Sequence, residues 1–395
     1  MQAKFELAHV LRGQWNAIEQ SVKNKTLNSW QLRTLSALSK CRTSALGGHI
    51  DGCMDCGKLR ISYNSCRNRH CPKCQGNERE EWIKAREQEL LPVAYFHIVF
   101  TLPAELNSLC MNHPRIMYTS LFEAAWDTIN TFSKDIKHLG AKPGMISILH
   151  TWGQQLMLHP HLHCIIPAGG LTKQNKWKDC KTKGNYLFPI KALSKVYRAK
   201  YMYHLRKHIA QHNSTAIIQL ALPKQLTETC FSKPWVVYAK QPFSGVSGVV
   251  EYLGRYTHKV AISNHRIKEL DEVNNTITFK YKDYKDHSRQ KLMKLTSMEF
   301  IRRFSLHILP KSFVRIRHYG ILSSTSKTKA IVEIRKQLPV KKLKPMPTKA
   351  KKYNPLMCSC CKKETMVRVL NFDQRGPPIE WKVAVKRILQ IVKMN

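Results

Sequence analysis

Acidic side chains are scarce in this sequence: 26 Asp and Glu stand against 66 Lys and Arg, a formal charge of +40. A chain so poor in carboxylates is not built to grip a cationic partner, and the excess of positive charge is spread along its whole length. The natural partner is a polyanion, and nucleic acid fits because each neutralised phosphate releases counterions. Long apolar runs are also missing. None approaches the roughly 18 residues of a spanning helix, and neither a basic amphipathic membrane helix nor a lipidation signal is found, so no membrane partner is expected. The first ten residues, MQAKFELAHV, lack a basic region leading into a long apolar stretch and a small-residue cleavage site, so export is not expected. The 13 cysteines are therefore expected in the reducing cytoplasm, where clustered thiols serve more often as metal ligands than as disulfides. A G-x4-G-K-[ST] loop is absent, which leaves no expected role for a nucleotide triphosphate. There is no internal repeat, and low complexity is confined to one short stretch near the C-terminus. With 43% hydrophobic residues, disorder is not the default.

At 395 residues the chain has room for two or three units of roughly 150 residues each. Residues 1–40 carry helical periodicity, Leu7, Val10, Leu11 and Trp15 on one stripe and Leu32, Leu35 and Leu38 on another, which fits two short helices. Residues 41–76 break into glycines, cysteines and basic residues and read as a metal-held module. A charged helix is expected over 77–92, ended by Pro92, and YFHIVFTLP then opens a second domain as a strand. That domain, 93–265, contains a helix near 115–138 and two strands, MISILHTW and MLHPHLHCIIPAGG, the latter ending in a Gly-Gly turn. Helical patterns return at 191–212 and around GVVEYLGRYTHKV. In the C-terminal α/β extension, 266–340, NNTITFKYKDY alternates as a strand does. Residues 341–356 combine lysines with prolines and read as a basic linker, and 357–395 form a small Cys-containing segment ending in an amphipathic helix.

The strongest single pattern is Cys53-x2-Cys56, fourteen residues, then Cys71-x2-Cys74. Each C-x2-C pair can turn two thiolates to one point, and two pairs make the closed sulfur tetrahedron that structural Zn2+ prefers. Cys41, His49, Cys66 and His70 lie in or beside this module and are candidates to substitute for a ligand or build a second site, although each taken singly reads first as a group that supports the zinc ligands or packs in the core. Between them, the basic run CRNRHCPK puts Arg67, Arg69 and Lys73 in position to grip DNA phosphates. Near the other end, Cys358, Cys360 and Cys361 are crowded as CSCC with no second pair following, so by their own spacing they read as a thiol-bearing segment.

In MLHPHLHCII, His159, His161 and His163 alternate, so a strand sets all three on one face. The pair His161-Leu162-His163 can reach one cation with neutral nitrogens. Gln154, expected on the preceding strand, is the third ligand preferred here, with His159 and Gln155 as rivals. Tyr252 and Tyr256 stand at i and i+4, which on a helix places both phenols on one face. A tyrosine nucleophile needs a cation to polarise the phosphate it attacks, so the two features belong together. Arg255, between them in sequence, is a phosphate-binding candidate.

The stretches CRTSALGGHIDGC, NSCRNRHCPKCQ, YFHIVFTLP, LHTWGQ, HPHLHC, EYLGRYTHKVAISNHR and FIRRFSLHILPKSFVRIRHYG span most of the chain. In that order they resemble the blocks of the insertion-sequence-91 family of rolling-circle transposases. The resemblance implies an α+β fold: an HUH nuclease domain with a central antiparallel sheet flanked by helices, plus an N-terminal zinc-binding module. It implies that His161 and His163 bind a catalytic Mg2+ or Mn2+, and that Tyr252 and Tyr256 cleave and rejoin single-stranded DNA, element ends and target, through 5′-phosphotyrosine intermediates. The expected location is the bacterial cytoplasm. Two rivals share some of these features: a zinc-containing DNA-binding regulator without catalysis, and a metal-dependent hydrolase that uses activated water.

Overall fold

The computed structural model describes residues 3–75, 90–181, 187–215, 217, 219–243, 248–249, 259–338 and 354–394. The N-terminal part runs through helices α1 (Leu7–Gly13), α2 (Trp15–Lys23) and α3 (Ser29–Ser39) into strands β1 (Gly48–Cys53) and β2 (Leu59–Tyr63). The middle holds β3 (Tyr95–Thr101), α4 (Asn107–Asn112), α5 (Pro114–Lys134), β4 (Gly144–Trp152), β5 (Leu158–Pro167), β6 (Gly169–Leu171) and β7 (Trp177–Asp179). After these come α6 (Ile190–Asn213), α7 (Lys224–Ser232) and β8 (Val237–Phe243). The last part holds β9 (Ile267–Asp271), β10 (Thr276–Asp283), β11 (Arg289–Thr296), α8 (Ser297–Ser305), β12 (Ile316–Gly320), α9 (Lys327–Gln337), β13 (Met366–Phe372) and α10 (Trp381–Met394). The fold is α+β, as expected. No helix among the described residues is long and apolar enough to cross a membrane.

The central sheet has the order β12-β4-β5-β3-β8, and every neighbouring pair is antiparallel. Alternation divides its residues between two jobs. Phe96, Ile98 and Phe100 of β3, Met145 and Leu149 of β4, and Leu162, Cys164 and Ile166 of β5 share one face. They are buried against α5 and α6 through Tyr118, Leu121, Phe122, Tyr197 and Tyr201. The opposite face carries Tyr95, Ile146, Ile148 and Ile165, packed with Val249, Ile321 and Ile331 in a second cluster. His97, His150, His161 and His163 belong to this second face, because the register pairs His150 with His161, Ile148 with His163 and His97 with Ile165.

Residues 1–40 form three helices where two were expected. The backbone turns at Gln14 (φ −117°, ψ 20°), between α1 and α2, which breaks one amphipathic stripe into two short pieces. These helices share a core with β9, β10 and α8, in which Leu11, Ile18 and Leu35 meet Ile277, Phe279, Phe300 and Phe304. That core also takes in Leu156 from the β4–β5 turn, which ties the N-terminal helices to the histidine hairpin. Gly169 and Gly170, expected as a turn, belong to β6 and pair with β7. A Cβ on Gly169 would lie 2.4 Å from the Trp177 ring and one on Gly170 would lie 2.5 Å from the Lys142 carbonyl oxygen, so close approach explains the glycines. The helix expected over 77–92 and the basic linker of 341–356 lie for the most part outside the described residues.

Candidate metal centres and the histidine face

His150 on β4 and His161 and His163 on β5 offer ligand nitrogens that all lie within 4.8 Å of one another. His150 and His163 are buried and His161 is half-buried. Burial holds the His161 imidazole down at about 4 and His163 well below the ordinary histidine range, with the nearby Lys259 charge pushing both the same way. Both rings are therefore neutral near pH 7 and present lone pairs.

Their orientation is fixed by internal partners. The Nδ1 of His161 lies 2.6 Å from the His159 carbonyl oxygen, so Nδ1 carries the proton and Nε2 is left as the donor atom. His163 Nδ1 lies 3.0 Å from His97 Nε2, and the two rings stack at 5.3 Å. His97 is itself buried and held down at about 3 by desolvation, so it meets His163 as a neutral ring. The His150 ring stacks on Trp152 at 4.6 Å and 20°. Below them, His307 Nδ1 lies 3.2 Å from the Thr151 hydroxyl and its Nε2 lies 3.1 Å from the Leu156 carbonyl oxygen, clamping the β4–β5 turn. Replacing His97 by Leu keeps the volume but removes the hydrogen bond that turns His163. A Mn2+ titration of the variant is expected to show a loss of affinity of about 10- to 100-fold with the fold intact.

Gln154, expected as third ligand on the preceding strand, lies beyond the end of β4 in the turn. Its side-chain amide nitrogen sits 3.3 Å from the Tyr284 hydroxyl, and its carbonyl accepts from Arg266. The third imidazole is His150 instead, directly across the ladder from His161. Of the rivals, Gln155 gives its carbonyl to Arg303 at 3.2 Å, and His159 is exposed and outside the three-imidazole cluster. Sequence reasoning missed His150 because a bulge between His150 and Trp152 and a five-residue turn set the hairpin register. The signal available was a histidine in the strand paired with HPHLH.

Tyr252, Arg255 and Tyr256 lie outside the described residues. Val249 packs in the cluster that contains Tyr95, Ile146, Ile148 and Ile165, on the histidine face. Lys259 lies near enough to His161 and His163 for its charge to lower both.

The cysteines are grouped differently from the sequence expectation. Cys53 and Cys56 do not meet Cys71 and Cys74. Cys41, Cys66, Cys71 and Cys74 form one cluster, and Cys53, Cys56, Cys358 and Cys361 form another. In the first, Sγ–Sγ distances are 3.5 Å for Cys41–Cys71, 3.6 Å for Cys41–Cys74 and 3.7 Å for Cys66–Cys74. A zinc tetrahedron with Zn–S bonds of about 2.3 Å has edges of about 3.8 Å, so these four sulfurs fit one Zn2+. Of the further candidates, Cys66 belongs to this cluster, but His49 and His70 do not. His49 pairs with Asp51 at 3.6 Å, and the half-buried His70 has a shielded Nε2 lacking a hydrogen-bond partner. Two of the basic residues expected on DNA are engaged within the protein. Arg69 donates to the carbonyls of Pro310 and Phe313, and Lys73 pairs with Glu6 at 2.5 Å. Arg67 is exposed.

Comparisons with known proteins identify the family. Residues 10–102 match the family model described as "Transposase zinc-binding domain", and residues 144–329 match the one described as "Putative transposase". "Putative transposase y4qJ" of Sinorhizobium fredii is 37% identical over 401 residues, covering 95% of this chain and 98% of the relative. "Transposase for insertion sequence element IS801" of Pseudomonas savastanoi pv. phaseolicola is 28% identical over 312 residues, covering 75% of this chain and 72% of the relative. A solved structure described as "Conjugative Relaxase TRWC in complex with ORIT dna, cooper-bound structure" gives a TM-score of 0.22 at 11% identity, covering 42% of this chain and 71% of that one. At that score no residue correspondence follows from it. The chain belongs to the insertion-sequence-91 family of transposases.

Proposed function

We propose that this transposase is a two-tyrosine HUH strand transferase that nicks and rejoins single-stranded DNA at element ends and target. The observation that carries the reading is the trio His150, His161 and His163, three imidazoles brought together on the sheet face whose core takes in Val249, shortly before Tyr252 and Tyr256 in sequence. A divalent cation bound there supplies Lewis-acid polarisation of a non-bridging oxygen of the scissile phosphate. Ligation by imidazoles would add no negative charge to such an ion, so its formal charge would remain available to the phosphate. Three nitrogen donors suit Mn2+ better than Mg2+, which prefers oxygen ligands.

One tyrosine oxygen forms a bond to phosphorus as the bond to the 3′ oxygen breaks. The phenol gives up its proton and the 3′ oxygen gains one, leaving a 5′-phosphotyrosine and a free 3′-OH. The bond energy is conserved, so rejoining needs no nucleotide triphosphate. The second tyrosine allows a second end to be cut while the first is held. Lys259, whose charge acts on His161 and His163, and the exposed Arg67 would attract the DNA backbone.

Incubation with single-stranded oligonucleotides carrying the element ends plus Mn2+, followed by a denaturing gel, tests this. The wild-type protein is expected to give a band shifted by covalently bound DNA, and a Tyr252→Phe, Tyr256→Phe double variant is expected to bind the same oligonucleotides without cutting them. Cut DNA with no adduct would point to a water-using hydrolase. Binding without any cutting by the wild type would point to a regulator.

A further inference from the structure

We infer that Cys53, Cys56, Cys358 and Cys361 hold a second zinc ion, separate from the Cys41 cluster, which clasps the C-terminal segment onto the N-terminal module. The matched zinc-binding family model ends at residue 102, so half of this ligand set lies outside it. Cys53 and Cys361 are 308 positions apart in sequence, yet their sulfurs lie 3.6 Å apart. Cys56 and Cys358 are also 3.6 Å apart, and all four sulfurs lie within 4.8 Å of one another. That spacing is about the edge of a zinc–thiolate tetrahedron and far beyond the S–S bond of about 2.05 Å in a disulfide.

The two halves have the same local build. In each, the first cysteine's N–H donates to the carbonyl five residues on: Cys53 to Lys58 at 2.9 Å and Cys358 to Lys363 at 2.8 Å. In each, the residue after the second cysteine is left-handed, Gly57 at φ 69° and Lys362 at φ 59°. That residue's N–H returns to the first cysteine's carbonyl, at 3.0 Å and 3.1 Å. Each first sulfur also accepts a backbone N–H at 3.4 Å, Cys53 from Cys56 and Cys358 from Cys360. Two matching turns that aim paired sulfurs and N–H donors at a common point are what a closed tetrathiolate site requires. Cys360, exposed and outside the cluster, is the odd cysteine of the CSCC run.

The sheet around the site is built to receive the C-terminal strand. β13 pairs antiparallel with β1 along its whole length, giving the order β13-β1-β2, and the Met54 N–H donates to the Thr365 carbonyl at 2.9 Å. A Cβ on Gly47 (φ +68°) would come 2.6 Å from the Phe372 carbonyl oxygen, so this approach needs a glycine. The small apolar clusters here, Ile50 with Phe372 and Val385, and Cys53 with Cys358 and Met366, are thin for a free-standing unit. A metal cross-link supplies what so small a core lacks.

The test is zinc content of the purified full-length protein, measured by elemental analysis and by thiol-reagent release. The wild type is expected to carry two zinc ions per chain, a Cys358→Ser, Cys361→Ser variant one, and a Cys360→Ser control two. Hydrogen exchange over 366–372 should quicken at least about tenfold in the double variant, with 158–167 unchanged. One zinc in the wild type, two retained in the double variant, or disulfide-linked 53–361 and 56–358 peptides under non-reducing conditions would each overturn the proposal. Should the double variant not purify, cobalt substitution of the wild type decides: two tetrathiolate equivalents per chain support the second site and one refutes it.

Discussion

His150→Ala is expected to abolish metal-supported nicking, with a loss of about 10³-fold or more, equivalent to roughly 4 kcal/mol of transition-state stabilisation. Gln154→Ala should stay within about threefold of wild type, because Gln154 lies in the turn with its amide nitrogen toward Tyr284. The contrast is sharp because the two residues are only four apart in sequence. His150 closes a set with His161 and His163, whose spare nitrogens already have internal partners. On the proposed reading, removing one of three imidazoles would leave two, too few to hold a weakly bound divalent ion at working concentrations. Mn2+ affinity measured by paramagnetic titration should fall in step with nicking, and circular dichroism should be unchanged. A variant lacking His150 that still cuts, beside a Gln154 variant that does not, would return the third ligand to the turn.

Much of this site is legible in the sequence, and what is not has a common cause. The alternation of His161 and His163 with buried Leu162 and Cys164 is a property of one strand, and a strand's faces follow from its own sequence. The YFHIVFTLP strand was equally plain, but His97 showed no role there because its partner His163 lies on a different strand. His150 was hidden by hairpin register, which a bulge shifts by one residue and which no local pattern reports. The cysteines repeat the point. Each C-x2-C turn is local and readable, whereas the choice of partner depends on chain ends meeting across 308 positions. Cys66, Cys71 and Cys74 share the loop that follows β2 and meet Cys41 from the end of α3, leaving Cys53 and Cys56 for the C-terminal pair.

That loop leads to the second large effect. Cys71→Ser is expected to lower the unfolding temperature by at least about 10 °C, since loss of a closed structural zinc site removes several kcal/mol from a domain of this size. Cys41, Cys71 and Cys74 are buried within the core where α1 and α3 meet β10 and α8, so an emptied site leaves unpaired sulfurs among Leu35, Leu38 and Phe304 rather than at the surface. The damage should reach the histidines by a traceable route. Gln75, next after Cys74, accepts from Arg315 at 3.4 Å, the Arg315 carbonyl accepts the Leu149 N–H at 2.9 Å, and Leu149 precedes His150. Arg69, in the same loop, holds the carbonyls of Pro310 and Phe313 that lead into β12. Cys71→Ser should therefore lose both thermal stability and Mn2+ affinity. The Cys358→Ser, Cys361→Ser pair should lose zinc and protection of β13 while keeping most of its nicking activity. Thermal melts followed by Mn2+ titration of both variants separate the two outcomes. Equal Mn2+ affinity in Cys71→Ser and wild type would show that the zinc loop stabilises the N-terminal core without bracing the histidine hairpin.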